Sequence, residues 1–180
     1  MYDLLILGSL VTGEKSGYKL QKIVGAALQP RRKVSSGVLY PALMKLKSDG
    51  LIKVTVQEEG RKQKIWHLTE TGYQQFLKLM SEKVPSDAKR YDILNFKMRS
   101  LDGVSLSIQR AILLEFKEYV EEDLTFYLEK QKEMHTHIPR FPENQARFEI
   151  LIDALELDIQ LAKTKLAWLN QQLAKREVSN

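Results

Sequence analysis

Apolar positions follow distinct rhythms along the chain. Residues 2–11 (Tyr2, Leu4, Leu5, Ile6, Leu7, Leu10, Val11) are almost wholly apolar, which predicts a short helix buried on most sides. Gly13 ends it. Ser16 then suits the N-cap of a second helix carrying Tyr18, Leu20, Ile23, Val24, Ala27 and Leu28. Pro30 stops that helix, and Arg31-Arg32-Lys33 fills the turn. Ser35 or Ser36 caps a third helix whose Leu39, Leu43 and Leu46 recur at a spacing of four then three, and Asp49-Gly50 is its stop signal. The period then becomes two. Ile52, Val54 and Val56 alternate with Lys53, Thr55 and Gln57, and after the turn Glu58-Glu59-Gly60-Arg61 the alternation resumes from Lys62 to Leu68 with Ile65 inside. Thr69 caps a fourth helix holding Tyr73, Phe76, Leu77 and Met80, and Pro85 closes this part.

The remainder reads as helix. Ser86 or Asp87 caps a helix with Ile93, Leu94, Phe96 and Met98 that ends at Asp102-Gly103. Ser105 opens a long one running to Glu133 or so, and Ile138-Pro139-Arg140-Phe141-Pro142 is a stiff break before a last helix over 143–175. That helix carries two apolar stripes: Phe148, Leu151, Leu155, Ile159, Ala162, Leu166, Leu169, Leu173, and Ile150, Ala154, Leu157, Leu161, Trp168. At about 100° per residue the stripe centres lie roughly 130° apart. Packing on the preceding helix needs one stripe, so two predict a second partner, a second copy of the chain. Leu155, Leu161, Leu166, Leu169 and Leu173 are the expected dimer interface.

Three helices, a hairpin and one more helix within 85 residues is the order of a winged helix-turn-helix. A lone two-stranded hairpin is marginally stable, so this one must pack on the helices. The predicted fold is mainly α with a small β-hairpin: a winged helix-turn-helix DNA-binding domain over 1–85, then long antiparallel helices over 86–180 for dimerisation and ligand sensing.

Charge sharpens this picture. Of the net +5, residues 1–85 carry 14 Lys/Arg against 7 Asp/Glu, and the rest 14 against 16, so the basic half is the one that meets a polyanion. The chain has no cysteine, which excludes disulfides, thiolate nucleophiles and cysteine-type zinc sites. No signal-like segment and no apolar run of membrane-spanning length are visible, so the cytoplasm is the expected compartment and no membrane partner is expected.

In helix-turn-helix proteins the start of the second motif helix faces base edges in the major groove. Here that end holds Ser35, Ser36, Gly37, Val38 and Tyr40, with open backbone N–H groups that suit a phosphate. Pro41 removes one intrahelical bond, to Gly37. Arg31, Arg32 and Lys33 precede this helix as a phosphate clamp, and Arg61, Lys62 and Lys64 sit at or beyond the wing tip. Ser16, Tyr18, Lys19 and Lys22 on the second helix and Lys45 on the third complete the expected double-stranded DNA contacts, with Lys47 beside them.

Tyr-Pro-Ala-Leu at 40–43 followed by Lys-Ser-Asp-Gly-Leu-Ile at 47–52 resembles the PadR family of bacterial transcriptional regulators. Ser16-Gly17-Tyr18 and Leu68-Thr69-Glu70-Thr71-Gly72 match the same pattern, and the long C-terminal helices with Trp168-Leu169 resemble the larger PadR subgroup. The resemblance implies a homodimer that represses a nearby operon until a small molecule relieves it; phenolic acids induce the family's namesake.

Other chemistry is thinly represented. His135 and His137 read as an exposed turn, not a metal pair, and Glu118, Glu121, Glu122 and Asp123 read as a solvated helix face. Nucleophile, metal set and Gly-rich phosphate loop are all missing, so no catalytic residue, metal or cofactor is expected. Trp168 is the one residue singled out for stacking on a small aromatic effector. The rival reading is a helical scaffold without DNA binding, which has no need of basic residues at the 31–33 turn and the wing tip.

Overall fold

The computed structural model describes residues 1–27, 34–57 and 63–177. It divides into two compact units, Met1–Ile112 and Leu113–Asn180. The first is built around α1 (Tyr2–Val11), whose Leu4, Leu5, Ile6, Leu7 and Leu10 are all buried. Around it pack α2 (Gly17–Ala27), α3 (Ser36–Ser48) and α4 (Glu70–Ser81), with the sheet at one side. Gly13 closes α1 at φ +107, a backbone setting that favours glycine. Gly50 at φ +73 does the same for α3, where Leu51 N–H donates to the Leu46 carbonyl at 2.9 Å.

The sheet has three strands. β2 (Ile52–Gln57) and β3 (Gln63–Leu68) form the expected hairpin, and a two-residue strand, β1 (Lys15–Ser16), adds to the free edge of β3. Lys15 lies opposite Trp66 and Ser16 opposite Ile65, while Val54 faces Trp66 and Thr55 faces Ile65 from the other side. Directly opposed residues share a face of the sheet. Trp66 therefore points to the core with Ile52 and Val54, at 1% exposure, and Ile65 lies on the opposite, half-buried face with Ser16. The expectation that Ile65 faces inward is corrected by this register, since a shift of one residue exchanges the two faces.

Thr69 caps α4 as its position predicts: its hydroxyl oxygen accepts the Gly72 N–H at 3.0 Å. The same hydroxyl points its proton at the Gly50 and Leu51 carbonyls, 2.8 and 2.9 Å away. A Cβ on Gly72 would run into the Leu51 carbonyl, so the Thr-Glu-Thr-Gly turn seats α4 directly on the end of α3.

α5 (Arg90–Arg99) begins later than Ser86 or Asp87, although the Asp87 carboxylate does accept the Lys89 N–H at 2.7 Å. It belongs with the first unit. A Cβ on Gly8 would stand 2.8 Å from the Phe96 ring and 2.9 Å from the Phe76 ring, so the bare glycine admits both aromatics to α1. Lys97 is buried, and its ammonium donates to the Met80 carbonyl at 3.2 Å and the Glu82 carbonyl at 2.5 Å, capping the end of α4. The structural division thus falls at 112/113, later than the 85/86 boundary read from the sequence.

A 3-10 turn (Leu101–Gly103) leads to α6 (Leu106–His137), which runs past the expected end near Glu133. His135 and His137 therefore lie on its last turn, where the His137 ring packs 6.0 Å from Phe141 and 5.6 Å from Phe148. Past a short 3-10 turn (Pro142–Asn144), α7 (Gln145–Ala174) returns antiparallel to α6. Gln131 donates to the Glu156 carboxylate across the pair at 3.1 Å. Of the first apolar stripe, Ile159, Ala162, Leu169 and Leu173 are buried within the chain, and Leu155 and Leu166 are half-buried. The second stripe is open: Ile150 is 68% exposed, Leu157 59%, Leu161 50% and Trp168 41%.

The α3–α4 seat is testable. Gly72→Ala is expected to destabilise the protein by roughly 1–3 kcal/mol, the usual result of overpacking. Urea unfolding with an unchanged midpoint would contradict the assigned role.

Candidate nucleic-acid interface

The first turn of α3 is shaped by what lies beneath it. Leu39, Leu43 and Leu46 are fully buried, each stabilising the fold by roughly 1.5–3 kcal/mol over leaving it exposed. They fix the helix roll, so Gly37, Tyr40, Pro41 and Met44 face outward, all exposed. Ser35 is the N-cap, extended at φ −73 and ψ 155, and makes no side-chain capping hydrogen bond. Ser35, Ser36, Gly37 and Val38 are exposed, leaving the helix start open to a ligand. Pro41 lies inside the helix with its ring on the exposed side.

Next to this opening is the start of α2. The Ser16 hydroxyl oxygen accepts the Lys19 N–H at 3.3 Å. Gly17 is buried, and a Cβ there would stand 2.8 Å from the Tyr40 phenol oxygen. The sequence segments around Ser16-Gly17-Tyr18 and Tyr40-Pro41 thus meet in space, and the bare glycine is what lets them. Tyr40 is 43% exposed, but its oxygen rests over the start of α2, so it offers a ring edge outward more than a free hydroxyl. Tyr18 is exposed, with the Lys22 ammonium 4.6 Å from its ring centroid, and Lys19 is exposed beside them.

On the wing, Lys53 and Lys64 are exposed. His67 holds the wing base: its Nδ1 lies 2.9 Å from a Glu14 carboxylate oxygen and its Nε2 2.8 Å from the Thr55 hydroxyl. With Nδ1–H donating to Glu14, the neutral ring accepts at Nε2 from Thr55. Arg31, Arg32, Lys33, Arg61 and Lys62 lie outside the described residues. Val34, the first described residue after the triplet, is buried, and its carbonyl accepts the Gln21 Nε2 at 2.6 Å. Among the described residues no group of His, Asp or Glu could hold a metal ion, and no helix is long and apolar enough to cross a membrane.

Residues 6–78 match the model of the transcriptional regulator PadR-like family. Through these residues the chain belongs to the PadR-like family of transcriptional regulators. Among solved structures, Bacillus subtilis PadR in complex with operator DNA is 20% identical over 97% of this chain and 98% of that chain, with a TM-score of 0.43. The same regulator in complex with p-coumaric acid is 20% identical over 98% and 96%, at 0.39. A transcriptional regulator from Clostridium thermocellum is 26% identical over 41% of this chain and 73% of that chain, at 0.38. No curated protein matches the sequence.

The PadR-like match runs from inside α1 to inside α4 and takes in every described residue expected at the DNA. Within it the structure brings together Ser16, Tyr18, Lys19, Lys22, Ser35, Ser36, Gly37, Val38 and Tyr40 at the facing starts of α2 and α3. Lys45 is set apart: it pairs with Asp3 at 3.5 Å, near the start of α1. Met44 was missed. It is 52% exposed one turn beyond Tyr40, and the spacing 37, 40, 44 on a helix whose inner face is 39, 43, 46 was the signal that finds it.

Removing Lys19 and Lys22 together, as alanines, is expected to weaken binding to specific and random DNA alike. The log–log salt dependence should flatten by about 0.9 per lost phosphate contact. An unchanged slope, read by fluorescence anisotropy at several salt concentrations, removes these lysines from the interface.

Proposed function

We propose that the chain is a homodimeric repressor of the larger PadR type that reads operator DNA with the start of α3 and releases it when a small molecule binds. The observation that carries the DNA half is the exposed, small-residue start of α3 beside Lys19 and Lys22, in a domain of PadR-like family. Small groups at 35–37 let the helix approach base edges closely, and the flanking cations supply sequence-independent affinity.

The dimer half rests on the open stripe of α7. Ile150, Leu157, Leu161 and Trp168 recur at intervals of seven, four and seven on one face of a 30-residue helix. A run of large exposed apolar side chains of this kind marks an interaction surface. The occupant is a second copy, because one winged helix reads too few base pairs for genomic specificity, whereas two related by a two-fold axis read a palindrome. Leu161 is the expected interface residue that lies on this face; Leu155 and Leu166 flank it, and Leu169 and Leu173 are already buried in the chain. Repression follows if that palindrome overlaps a promoter. Trp168 offers an indole face for stacking a flat effector, and p-coumaric acid, the ligand in one of the Bacillus subtilis PadR structures, is a compound to try first.

Mobility shift with DNA from upstream of the chain's own coding sequence, paired with sedimentation equilibrium, tests the reading. The full chain should be dimeric at micromolar concentration and shift its own upstream DNA in preference to random DNA. Leu157→Glu with Leu161→Glu should yield a folded monomer that keeps only weak, salt-sensitive binding. A monomeric wild type sinks the dimer assignment, and no preference for upstream DNA sinks the operator assignment.

A further inference from the structure

In the first unit, α1, α2, α4, α5 and the 3-10 turn line a cavity of about 360 Å³, within the range of roughly 300–1,000 Å³ that small-molecule sites occupy. Much of its wall is apolar, including Val11, Ile23, Ala27 and the rings of Phe76 and Phe96. Lys15 stands in this wall at 7% exposure. Its ammonium donates to the Thr12 hydroxyl at 3.0 Å and to the Gly13 carbonyl at 2.8 Å, both uncharged. Among the described residues it has no carboxylate partner. Burial, with Lys19 adding to it, holds the Lys15 amine below the ordinary lysine pKa. The other charged groups on the cavity are Arg99 and Asp102, both exposed and opposite in sign. The charge left unbalanced is that of Lys15. A buried ammonium without a counter-ion is unfavourable, and an anion delivered into the cavity relieves it.

We propose that this cavity is a binding site for a small monocarboxylate with an apolar body, the carboxylate paired with Lys15 and the body lying against Phe76 and Phe96. Two neutral partners leave the third ammonium proton for the ligand. The aromatic walls take the part of the ligand that water does not, so a bare inorganic anion forgoes that share of the binding. The location gives the site a consequence, which rests on the DNA-regulator reading. Lys15 is half of β1, paired with Trp66 on the wing strand, and the next residue, Ser16, caps α2. A ligand on Lys15 therefore bears on the strand that joins the wing to the start of α2.

The test is calorimetry on the full chain without DNA, using benzoate, phenylacetate and hexanoate against benzyl alcohol, 2-phenylethanol and hexanol. At least one acid should bind, and its alcohol should bind about tenfold more weakly or worse, the loss of one charge-assisted contact. Lys15→Met should remove that preference for the acid and Lys15→Arg should keep part of it. Ala26→Phe, at an exposed position on the cavity rim, should weaken every ligand while leaving the circular dichroism spectrum unchanged. The proposal is overturned if no acid binds, if acid and alcohol bind equally, or if Lys15→Met and Ala26→Phe both bind as the wild type does. Anisotropy on upstream DNA, with and without the bound acid, then reads the consequence. An acid that binds without changing DNA affinity overturns the regulatory role, whereas a chain that binds acid but no DNA overturns the regulator reading instead.

Discussion

A two-residue strand ties the wing of this molecule to its helices. A hairpin of two strands does not hold itself in water, and β2–β3 acquires its place by pairing β3 with Lys15 and Ser16 and by burying Trp66. The Trp66 indole nitrogen is buried without a hydrogen-bond partner among the described residues, and sits near Gly17 and the Tyr40 phenol. Leaving a donor unsatisfied costs about 1–3 kcal/mol. The ring's packing offsets that by filling the junction where wing, α2 and α3 converge. Every group assigned to DNA hangs from this junction: Ser16 and Lys19 on one side, Tyr40 on another, and Lys53 and Lys64 along the wing. A change in the β1–β3 register would move them together.

The interface divides its work between two kinds of side chain. Buried leucines under α3 set its roll and contribute nothing to recognition directly, while exposed small groups on the opposite face decide how closely the helix approaches a base edge. Lysines on α2 and the wing act at longer range and without sequence preference. This separation explains why a basic half-chain is compatible with a recognition helix whose own outer face, Gly37, Tyr40, Pro41 and Met44, carries no charge. The α7 face is organised the other way, with large apolar groups at the surface and the polar groups between them.

Much of this was legible from punctuation in the sequence. Gly13, Ser16, Asp49-Gly50, Thr69 and Ser105 mark element ends because caps and positive-φ turns are local, one-residue requirements. Faces and boundaries were harder, since they depend on partners far along the chain. A strand of two residues has no period to detect, so β1 was invisible, and without β1 the choice between Ile65 and Trp66 as the inward residue had no anchor. Phe96 packs on Gly8 across most of the first unit, which is why α5 was read with the C-terminal helices instead of with α1. The two stripes of α7 were both visible, but which one the chain covers itself was not, and so Leu169 and Leu173 were assigned to a partner when they are buried at home. The pairing of Gly17 with Tyr40 was carried by the family pattern alone; periodicity gives no reason for it.

The claim on which the account stands is that the start of α3 enters DNA. The chain has no cysteine, so a single one placed at Ser36 can carry a tethered iron–EDTA cleavage reagent. Strand cleavage mapped on the upstream DNA should then fall in two short clusters related by a two-fold axis, while the same reagent at the exposed Lys163 of α7 should cut no more than background. Equal cutting from both positions, or none from position 36 under conditions where the protein is bound, would contradict it.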